Sequence, residues 1–327
     1  MVAAKAGLEV RNVSVTYGDV LAVDDVSLAV EPGSVLALLG PSGSGKSSLL
    51  RAIAGLEPLA TGQVLWDGDD LTRTPVHKRN FGFVFQDAQL FSTMDVGSNI
   101  AYGLGKLPRN RRQGRVREML HLVGLEGYGG RKVTELSGGQ AQRVSLARSL
   151  APSPRALLLD EPLSALDRTL REHLADELAR ILREVGTTAI HVTHDQEEAS
   201  TVADTVAVME GGRLLQRAEP GVLWRTPASR NVARFLGFTA FLTGDQAAAL
   251  GWQGRLDESQ VLGIGPRSLE LHDDGVALPV TGQGFALGEV EIGVRLPDGQ
   301  TATLTAPEKT DAAAVRVKLV SGAVTPA

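Results

Sequence analysis

The chain has 327 residues, and its net charge of −5 comes from 33 basic and 38 acidic residues. Because proteins that wrap nucleic acid usually carry a basic face, this balance argues against nucleic acid as a partner. There are no cysteines, which excludes a disulfide framework and a thiolate metal site. The hydrophobic fraction of 43% supports a sizeable core, and at about 100–200 residues per domain the length predicts two domains.

The first ten residues, MVAAKAGLEV, contain no apolar run of signal-peptide length. No stretch of the sequence approaches the roughly 18 apolar residues that a membrane-spanning helix requires. We therefore expect the chain to serve any membrane process by docking on a separate membrane protein.

The first two thirds of the chain alternate short apolar runs with amphipathic stretches, a pattern typical of α/β folds. Residues 47–54 and 167–185 have the spacing of amphipathic helices. Residues 204–215 predict a strand pair that turns at Gly211-Gly212. Continuous apolar runs predict four buried strands, at residues 35–39, 81–85, 156–159 and 189–192.

The pattern changes after about residue 237, which predicts a domain of residues 1–237 followed by residues 238–327. Residues 238–262 are expected to form a mixed connector. From Gly263 onward, short alternating runs separated by glycine turns predict a small strand-rich domain. The tail, which is rich in alanine and valine, is expected to be frayed.

The segment from Gly40 to Ser47 matches the motif G-x-x-x-x-G-K-[ST] in full, after a buried strand and before a helix. Its glycines let backbone N–H groups turn inward around phosphate oxygens, and the following helix adds its positive N-terminal end. Lys46 supplies a charge for the β- and γ-phosphates, and the Ser47 hydroxyl is suited to Mg²⁺. A plain glycine-serine loop is the alternative, which this context disfavours. The predicted nucleotide-binding residues here are Gly40, Pro41, Ser42, Gly43, Ser44, Gly45, Lys46, Ser47 and Ser48.

Two acidic residues follow the third apolar run. Asp160 stands at its end, where strands of doubly wound sheets meet their ligands, and a carboxylate there can hold Mg²⁺ directly or through water. Glu161 comes one residue later, where a base could face a water in line with the γ-phosphate. Two adjacent acids also suit a helix start or a surface, and only the phosphate loop nearby favours the catalytic interpretation.

A second motif carries a family resemblance. The segment Leu136-Ser137-Gly138-Gly139-Gln140 closely resembles the signature sequence of ABC ATPases. The resemblance covers roughly residues 8–237, with several motifs in the expected order and spacing. It implies an α/β fold, a P-loop NTPase core of ABC type with an inserted helical subdomain at about residues 88–150. The small β-rich domain after it would be of OB or TOBE-like type. Further residues continue the signature: Arg143, Ser145, Ala147, Arg148 and Leu150.

The resemblance also implies roles for single residues. Tyr17 matches the aromatic residue that stacks on adenine, and Gln86 matches the glutamine that touches Mg²⁺ together with Ser47 and Asp160. His194 matches the switch histidine that contacts the γ-phosphate. The signature residues would bind the γ-phosphate held by the opposite subunit. A loop that crosses the dimer interface is matched by Ser164, Ala165, Leu166 and Asp167.

The implied reaction is in-line attack of water on the γ-phosphate of ATP. The protein supplies positioning and electrostatics, with Glu161, His194, Gln86 and Lys46 as the catalytic set. One chain holds one phosphate loop and one signature, and in the family these face different nucleotides. We therefore expect a homodimer, or a pair with a second ATPase subunit, that closes around ATP.

The C-terminal part favours an importer. Residues 261–271 look like the entry into the accessory TOBE-type barrel that follows importer ATPases. Those subunits work at the cytoplasmic face of the membrane with separate permease chains and a solute-binding protein. Residues 87–102 are expected to form the groove that receives a short helix of the permease; the alternative is that their apolar side chains belong to the core of the helical subdomain. Residues 83–87 with Leu90 and Phe91 resemble importers of ferric iron, thiamine, polyamines or small anions more than sugar importers.

Two alternatives are ABC ATPases that act on soluble complexes. The type that acts in translation resembles two fused ATPase units, whereas this chain has one phosphate loop and no repeat. The type that acts on DNA ends carries a long coiled coil between phosphate loop and signature, and no heptad run occurs here. A regulatory role for the C-terminal domain stays open.

Overall fold

A computed structural model describes residues 7–265, 267–286 and 288–327. The chain divides into two compact units, Met1–Pro220 and Gly221–Ala327. The sequence boundary at residue 237 stays a prediction for the extent of the ATPase domain. No helix within the described ranges combines the length and the apolar character needed to cross a membrane.

The first unit contains ten strands and seven helices within its described residues. Its strands are β1 Leu8–Tyr17, β2 Val20–Val30, β3 Val35–Leu39, β4 Thr61–Trp66, β5 Asp69–Asp70, β6 Phe81–Val84, β7 Ala156–Asp160, β8 Thr188–Thr193, β9 Thr205–Glu210 and β10 Arg213–Ala218. Its helices are α1 Lys46–Ala54, α2 Val76–Arg79, α3 Val96–Ala101, α4 Arg109–Leu122, α5 Gly138–Leu150, α6 Arg168–Val185 and α7 Gln196–Val202.

A six-stranded sheet in the order β10-β9-β3-β8-β7-β6 forms the centre of this unit. All neighbouring strands from β9 to β6 run parallel, and only β10 is antiparallel to its neighbour. Every residue of β3, β7 and β8 is buried, as expected for strands covered on both faces. Because the strands are parallel, the loop after β3 and the ends of β6, β7 and β8 meet at one edge.

Helix α1 lies between this sheet and a second, antiparallel sheet of order β2-β1-β4-β5. One hydrophobic cluster joins Val10 of β1, Leu36 of β3 and the α1 residues Leu49 and Ile53, all of which are buried. Burying each leucine or isoleucine stabilises the fold by about 1.5–3 kcal/mol. The start of α1, and with it the end of the phosphate loop, is therefore anchored to both sheets.

The residues between β6 and β7 form the helices α3, α4 and α5. Asn99 on α3 is fully buried, and its side chain bonds both backbone groups of Phe91, at 2.8 Å from the N–H and 3.1 Å from the oxygen. This amide holds the loop that leads from β6 into the helices. The observed helices agree with the inserted helical part that the resemblance implies.

Helix α6 begins where the sequence predicts it. The Asp167 side chain accepts a hydrogen bond from the Leu170 N–H at 3.1 Å and caps the helix. The helix ends at Gly186, whose φ of 62° is readily adopted by glycine. Its inner face buries Leu174, Ala175, Leu178, Ala179, Ile181 and Leu182.

The second unit is rich in antiparallel strands. Its helices are α8 Pro220–Arg225, which starts at the boundary, α9 Arg230–Phe235 and α10 Gly244–Ala249. Its strands are β11 Ala240–Leu242, β12 Gln260–Ile264, β13 Leu269–Ala286, β14 Glu289–Arg295, β15 Thr301–Ala306, β16 Ala314–Leu319 and β17 Ala323–Pro326. They form two sheets, β11-β12-β17 and β15-β14-β13-β16.

One expectation for this part of the chain is wrong. The mixed connector expected at residues 238–262 contains β11, α10 and the start of β12. The tail is not frayed: Ala323–Pro326 pairs antiparallel with β12, and Thr325 is only 1% exposed. Ala323 and Thr325 alternate with outer residues, so even this short run has the period of a half-buried strand.

Candidate functional site

The phosphate loop, residues 40–47, joins β3 to α1 at the carboxyl edge of the parallel sheet. Gly43 and Gly45 have φ angles of 79° and 92°, a region that glycine adopts without strain. A Cβ on Gly45 would lie 2.2 Å from the Ala22 oxygen, and one on Gly40 would lie 2.2 Å from the Met209 oxygen. The glycines therefore serve both the loop's curvature and its close contact with neighbouring backbone.

Lys46 is the first residue of α1 and is buried. Its ammonium group donates to the backbone oxygens of Gly40 at 2.8 Å and Pro41 at 2.9 Å, so the side chain lies across its own loop. Burial lowers the pKa of Lys46 from its ordinary value of 10.5, and the nearby carboxylates of Glu161 and Asp160 oppose that shift. The cationic side chain is thus held inside the loop that would surround a phosphate.

Two predicted metal ligands lie in direct contact. The Ser47 hydroxyl donates to Asp160 Oδ1 at 2.5 Å, and Arg51 Nη2 lies 3.3 Å from the other oxygen, Oδ2. Hydroxyl and carboxylate oxygens are the donors that Mg²⁺ prefers, and Mg²⁺ in nucleotide sites usually takes only one or two carboxylates. The donor set therefore fits Mg²⁺. Arg51, one helical turn after Ser47, was missed in the sequence because an arginine on a helix is usually a surface residue.

Glu161 and His194 meet at the ends of β7 and β8. The Nδ1 atom of His194 lies 3.2 Å from Glu161 Oε2. Glu161 has a φ of 45°, and its N–H donates to the Val192 oxygen at 3.1 Å, so the chain turns sharply at this residue. His194 is 45% exposed on its side chain, which leaves part of the ring open to a ligand. The structure thus brings together the two residues that sequence reasoning had paired with the γ-phosphate.

Gln86 and Tyr17 lie at the borders of this region. Gln86 is exposed, two residues after β6, and the parallel pairing of Val84 with Leu159 puts it at the same edge as Asp160. Tyr17 ends β1, is 43% exposed and pairs across the hairpin with Val20. The same hairpin contributes the Ala22 oxygen that borders the phosphate loop, so an aromatic face lies in the neighbourhood of the loop.

The signature residues stand at the start of α5. The Ser137 hydroxyl accepts from the Gln140 N–H at 3.3 Å, and the Gln140 side chain accepts from the Ser137 N–H at 3.0 Å, which forms a capping box. Leu136 is half-buried, whereas Ser137 and Gly138 are exposed. A Cβ on Gly139 would lie 3.3 Å from Leu174, so this glycine lets α5 approach α6 closely.

The predicted interface loop adjoins the signature. A Cβ on Gly138 would lie 3.5 Å from Leu166, and the Ser164 hydroxyl donates to the Glu161 oxygen at 3.0 Å. Ala165 and Asp167 are exposed. Among the described residues, no hydrogen bond or ion pair connects residues 136–140 to the phosphate loop of the same chain. The loop thus links the catalytic edge to the signature within one chain.

Known proteins are similar to this chain in sequence. The model of the ABC transporter family matches residues 23–164. A Fe(3+) ions import ATP-binding protein of Streptomyces avermitilis is 47% identical over 85% of this chain and 82% of its own length. A sulfate/thiosulfate import ATP-binding protein of Gloeobacter violaceus is 51% identical over 70% and 67%, respectively. A putrescine transport ATP-binding protein of Escherichia coli is 42% identical over 86% and 80%.

Solved structures agree with the fold. The structure of cbiO1 from Clostridium perfringens, part of the ABC transporter complex cbiONQ, has a TM-score of 0.63 and 31% identity and covers 67% of this chain and 90% of that chain. A dimeric, post-hydrolysis structure of the ATP-binding cassette MJ0796 with ADP and Pi has a TM-score of 0.59 and 30% identity, with coverages of 65% and 98%.

The fold and the sequence relatives define an ATP-binding cassette with ATPase activity coupled to transport. The chain belongs to the ATP-binding subunits of ABC transporters, of the importer type. The predicted fold class and family are thereby confirmed. The roles of the single site residues stay predictions.

Proposed function

We propose that this chain binds ATP with Mg²⁺ on its own phosphate loop and hydrolyses it when the signature of a second subunit closes over the γ-phosphate. The observation that carries this proposal is the contact between Glu161 and His194 beside the pair of Ser47 and Asp160. A base, a γ-phosphate contact and two oxygen ligands thus share one sheet edge with the phosphate loop.

Glu161 acts as the base that polarises the attacking water. Its carboxylate is partly exposed and held by His194 at 3.2 Å, which limits the orientations available to it. A general base of this kind contributes about 10²–10⁴-fold to the rate. Lys46 and His194 take up negative charge that develops on the phosphoryl oxygens.

Ser47, Asp160 and Gln86 would hold the metal ion. When bound, Mg²⁺ neutralises charge on the β- and γ-phosphate oxygens. The carboxylate of Asp160 is positioned by the Ser47 hydroxyl on one oxygen and by Arg51 on the other. Tyr17, exposed at the end of its hairpin, stacks on the adenine.

The second subunit is another copy of this chain or a related ATPase subunit. Ser137 and Gly138 are exposed at the start of a 13-residue helix, so they are accessible to a phosphate held by a partner. ATP then joins two subunits, and hydrolysis releases them. This cycle is the conformational switch that powers transport.

Transport requires a membrane-spanning permease, to which this chain docks at the cytoplasmic face of the membrane through residues 87–102. Phe91 is 37% exposed and Tyr102 60% exposed, and their ring centroids are 4.4 Å apart. Two adjacent exposed aromatic rings suit a helix of a partner. We propose that a solute-binding protein delivers the solute to that permease.

The solute is a small ion, with ferric iron as the first choice. The Streptomyces relative named for Fe(3+) import combines high identity with coverage of 85% of this chain. The relatives named for sulfate/thiosulfate import and for putrescine transport are 51% and 42% identical, so their solutes are the next to test. Thiamine, which the sequence resemblance also suggested, is a further solute to test.

A pull-down tests the importer assignment. Tagged Glu161→Gln protein is isolated with ATP from detergent-solubilised membranes of cells that carry the native transporter, and its partners are identified by mass spectrometry. We expect a multispanning permease and a solute-binding protein whose ligand is ferric iron, as measured by metal analysis and calorimetry. A multispanning protein alone indicates export, and ribosomal or DNA-associated proteins contradict the transport role.

A further inference from the structure

A buried histidine and a buried glutamate lie close to His194 in the sequence, one before it and one after it. His191 on β8 is 0% exposed, and Glu198 on α7 is 5% exposed. The Nε2 atom of His191 lies 2.6 Å from Glu198 Oε1. The other residues of β8 are apolar or threonine, so His191 is the one residue of this strand with a titratable side chain.

The second oxygen of Glu198 leads to the backbone around His194. The Thr193 hydroxyl donates to Glu198 Oε2 at 3.0 Å, and the same hydroxyl accepts from the Asp195 N–H at 3.0 Å. Thr193 and Asp195 are the residues on either side of His194. The contacts from His191 through Glu198 therefore fix the chain immediately before and after the residue that meets Glu161.

Two further contacts, a hydrogen bond and an ion pair, fix the side chain of Asp195. Its side chain accepts from the N–H of Glu198 at 3.0 Å and caps α7. Its other oxygen lies 3.4 Å from Arg171 Nη1 on α6. His194 itself belongs to neither strand nor helix, so its position depends on these flanking contacts rather than on a backbone ladder.

Removing a carboxylate from water is costly unless the charge is paired and hydrogen-bonded. Most of the other buried side chains of this sheet are apolar, and apolar side chains would pack at lower cost at both positions. The Thr193 hydroxyl satisfies one oxygen of Glu198, whereas the other, Oε1, has only the 2.6 Å contact with His191 Nε2, which lacks the geometry of a hydrogen bond. Such a network rigidifies the segment it holds.

We propose that His191 and Glu198 are positioning residues that set the location of His194 relative to Glu161. They act through Thr193 and Asp195 and do not touch the nucleotide. The proposal rests on the role of His194 given above, and it adds to that role a buried support that determines how well the switch histidine is placed for hydrolysis.

Histidine side-chain NMR tests this positioning without relying on turnover. The full chain contains six histidines, at positions 77, 121, 173, 191, 194 and 272. Selective labelling gives a signal for each ring, and the His194 signal is assigned with His194→Ala. In His191→Phe, which keeps an aromatic side chain but removes the nitrogen that faces Glu198, we expect the His194 signal to shift and broaden while the four remote signals stay unchanged.

Steady-state kinetics provide the second readout. We expect His191→Phe to lower kcat for ATP by about fivefold or more with KM unchanged within about twofold, because contacting residues couple by this order. His191→Gln, which restores a donor toward Glu198, should recover most of the rate. Ile190→Val is the matched control, since it shortens a buried side chain on the opposite face of β8.

An unchanged His194 signal in a folded His191→Phe protein overturns the proposal, whatever the rate of that protein. If His191→Phe does not fold, Thr193→Val removes the hydroxyl between Glu198 and Asp195 and must give the same two effects. A displaced His194 signal with normal kcat supports the positioning and contradicts the proposed role of His194 in hydrolysis. The two failures are therefore distinguishable.

Discussion

At the scale of single residues, Lys46 illustrates how the site is prepared for its ligand. The ammonium group is satisfied by two backbone oxygens of its own loop. Burial lowers its pKa, but two carboxylates at the same sheet edge favour the charged form. A phosphate in the loop would replace neutral carbonyl partners with a charged one, and hydrogen bonds to charged groups are the stronger kind.

Lys46→Ala is expected to weaken binding of MgATP by roughly 10–100-fold, because a hydrogen bond to a charged group contributes about 1.5–3 kcal/mol. Isothermal titration calorimetry measures the change. Lys78→Ala is the control, since Lys78 is an exposed residue of the short helix α2. Equal affinities of Lys46→Ala and wild type for MgATP would show that the phosphate loop is assigned incorrectly.

Single residues also mark the limit of sequence reasoning at the site. The phosphate loop, Asp160 and Glu161 could be predicted because each follows a recognisable strand. The pair of His191 and Glu198 could not, because its members come from a strand and a helix whose packing the sequence does not reveal. A histidine inside an apolar run was the one available signal, and such a residue is more often a satisfied core histidine.

At the scale of elements, the first turn of α5 serves two purposes. Its capping box satisfies the N–H groups of Ser137 and Gln140, and its exposed end faces the solvent that a partner's nucleotide would replace. In the proposed dimer, helix stability and partner binding therefore depend on the same serine. The two contributions can be separated because aspartate is also a good N-cap residue.

Ser137→Ala removes the cap and is expected to lower the free energy of unfolding by about 1 kcal/mol. Ser137→Asp keeps an accepting oxygen for the Gln140 N–H but adds a negative charge toward the partner's γ-phosphate. We expect thermal unfolding to leave the aspartate variant close to wild type, while its ATP-dependent association is lost. Normal association of Ser137→Asp would contradict the signature assignment.

The second unit contains a strand, β17, that was not predicted from the sequence. Four residues of β17 pair with β12, although this tail, expected to be frayed, contains alanine and proline, which are poor strand formers. The structure overrides this local preference because Ala323 and Thr325 close the edge of a small sheet. In contrast, β14 and β15 were predictable, since strong alternation and a Pro-Asp-Gly turn mark them.

Deleting residues 323–327 is expected to destabilise the second unit by a few kcal/mol, because each lost ladder hydrogen bond contributes about 0.5–1.5 kcal/mol. Deleting Ala327 alone is the control, as it removes one bond, from its N–H to the Ser259 oxygen at 2.7 Å. Calorimetric unfolding of the two truncated proteins provides the comparison. Identical melting profiles would mean that β17 adds nothing to the sheet.

At the scale of the whole molecule, the two units differ in what the sequence reveals. The order of phosphate loop, signature and His194 resembles that of the ABC ATPases, and relatives of this family match most of the chain. The arrangement within the second unit has no motif of comparable specificity. Parallel strands buried on both faces give continuous apolar runs, whereas short antiparallel strands give a weaker signal.

The proposal that ATP joins two subunits is tested most directly by measuring subunit association. Analytical ultracentrifugation of the Glu161→Gln protein makes this measurement. We expect the 34.5 kDa chain to sediment as a monomer without nucleotide and as a dimer with ATP and Mg²⁺. The same protein with the additional change Ser137→Asp should bind ATP and stay monomeric. A Glu161→Gln protein that remains monomeric at saturating ATP, or a dimer that Ser137→Asp does not disrupt, would contradict a site completed by the signature of a second subunit.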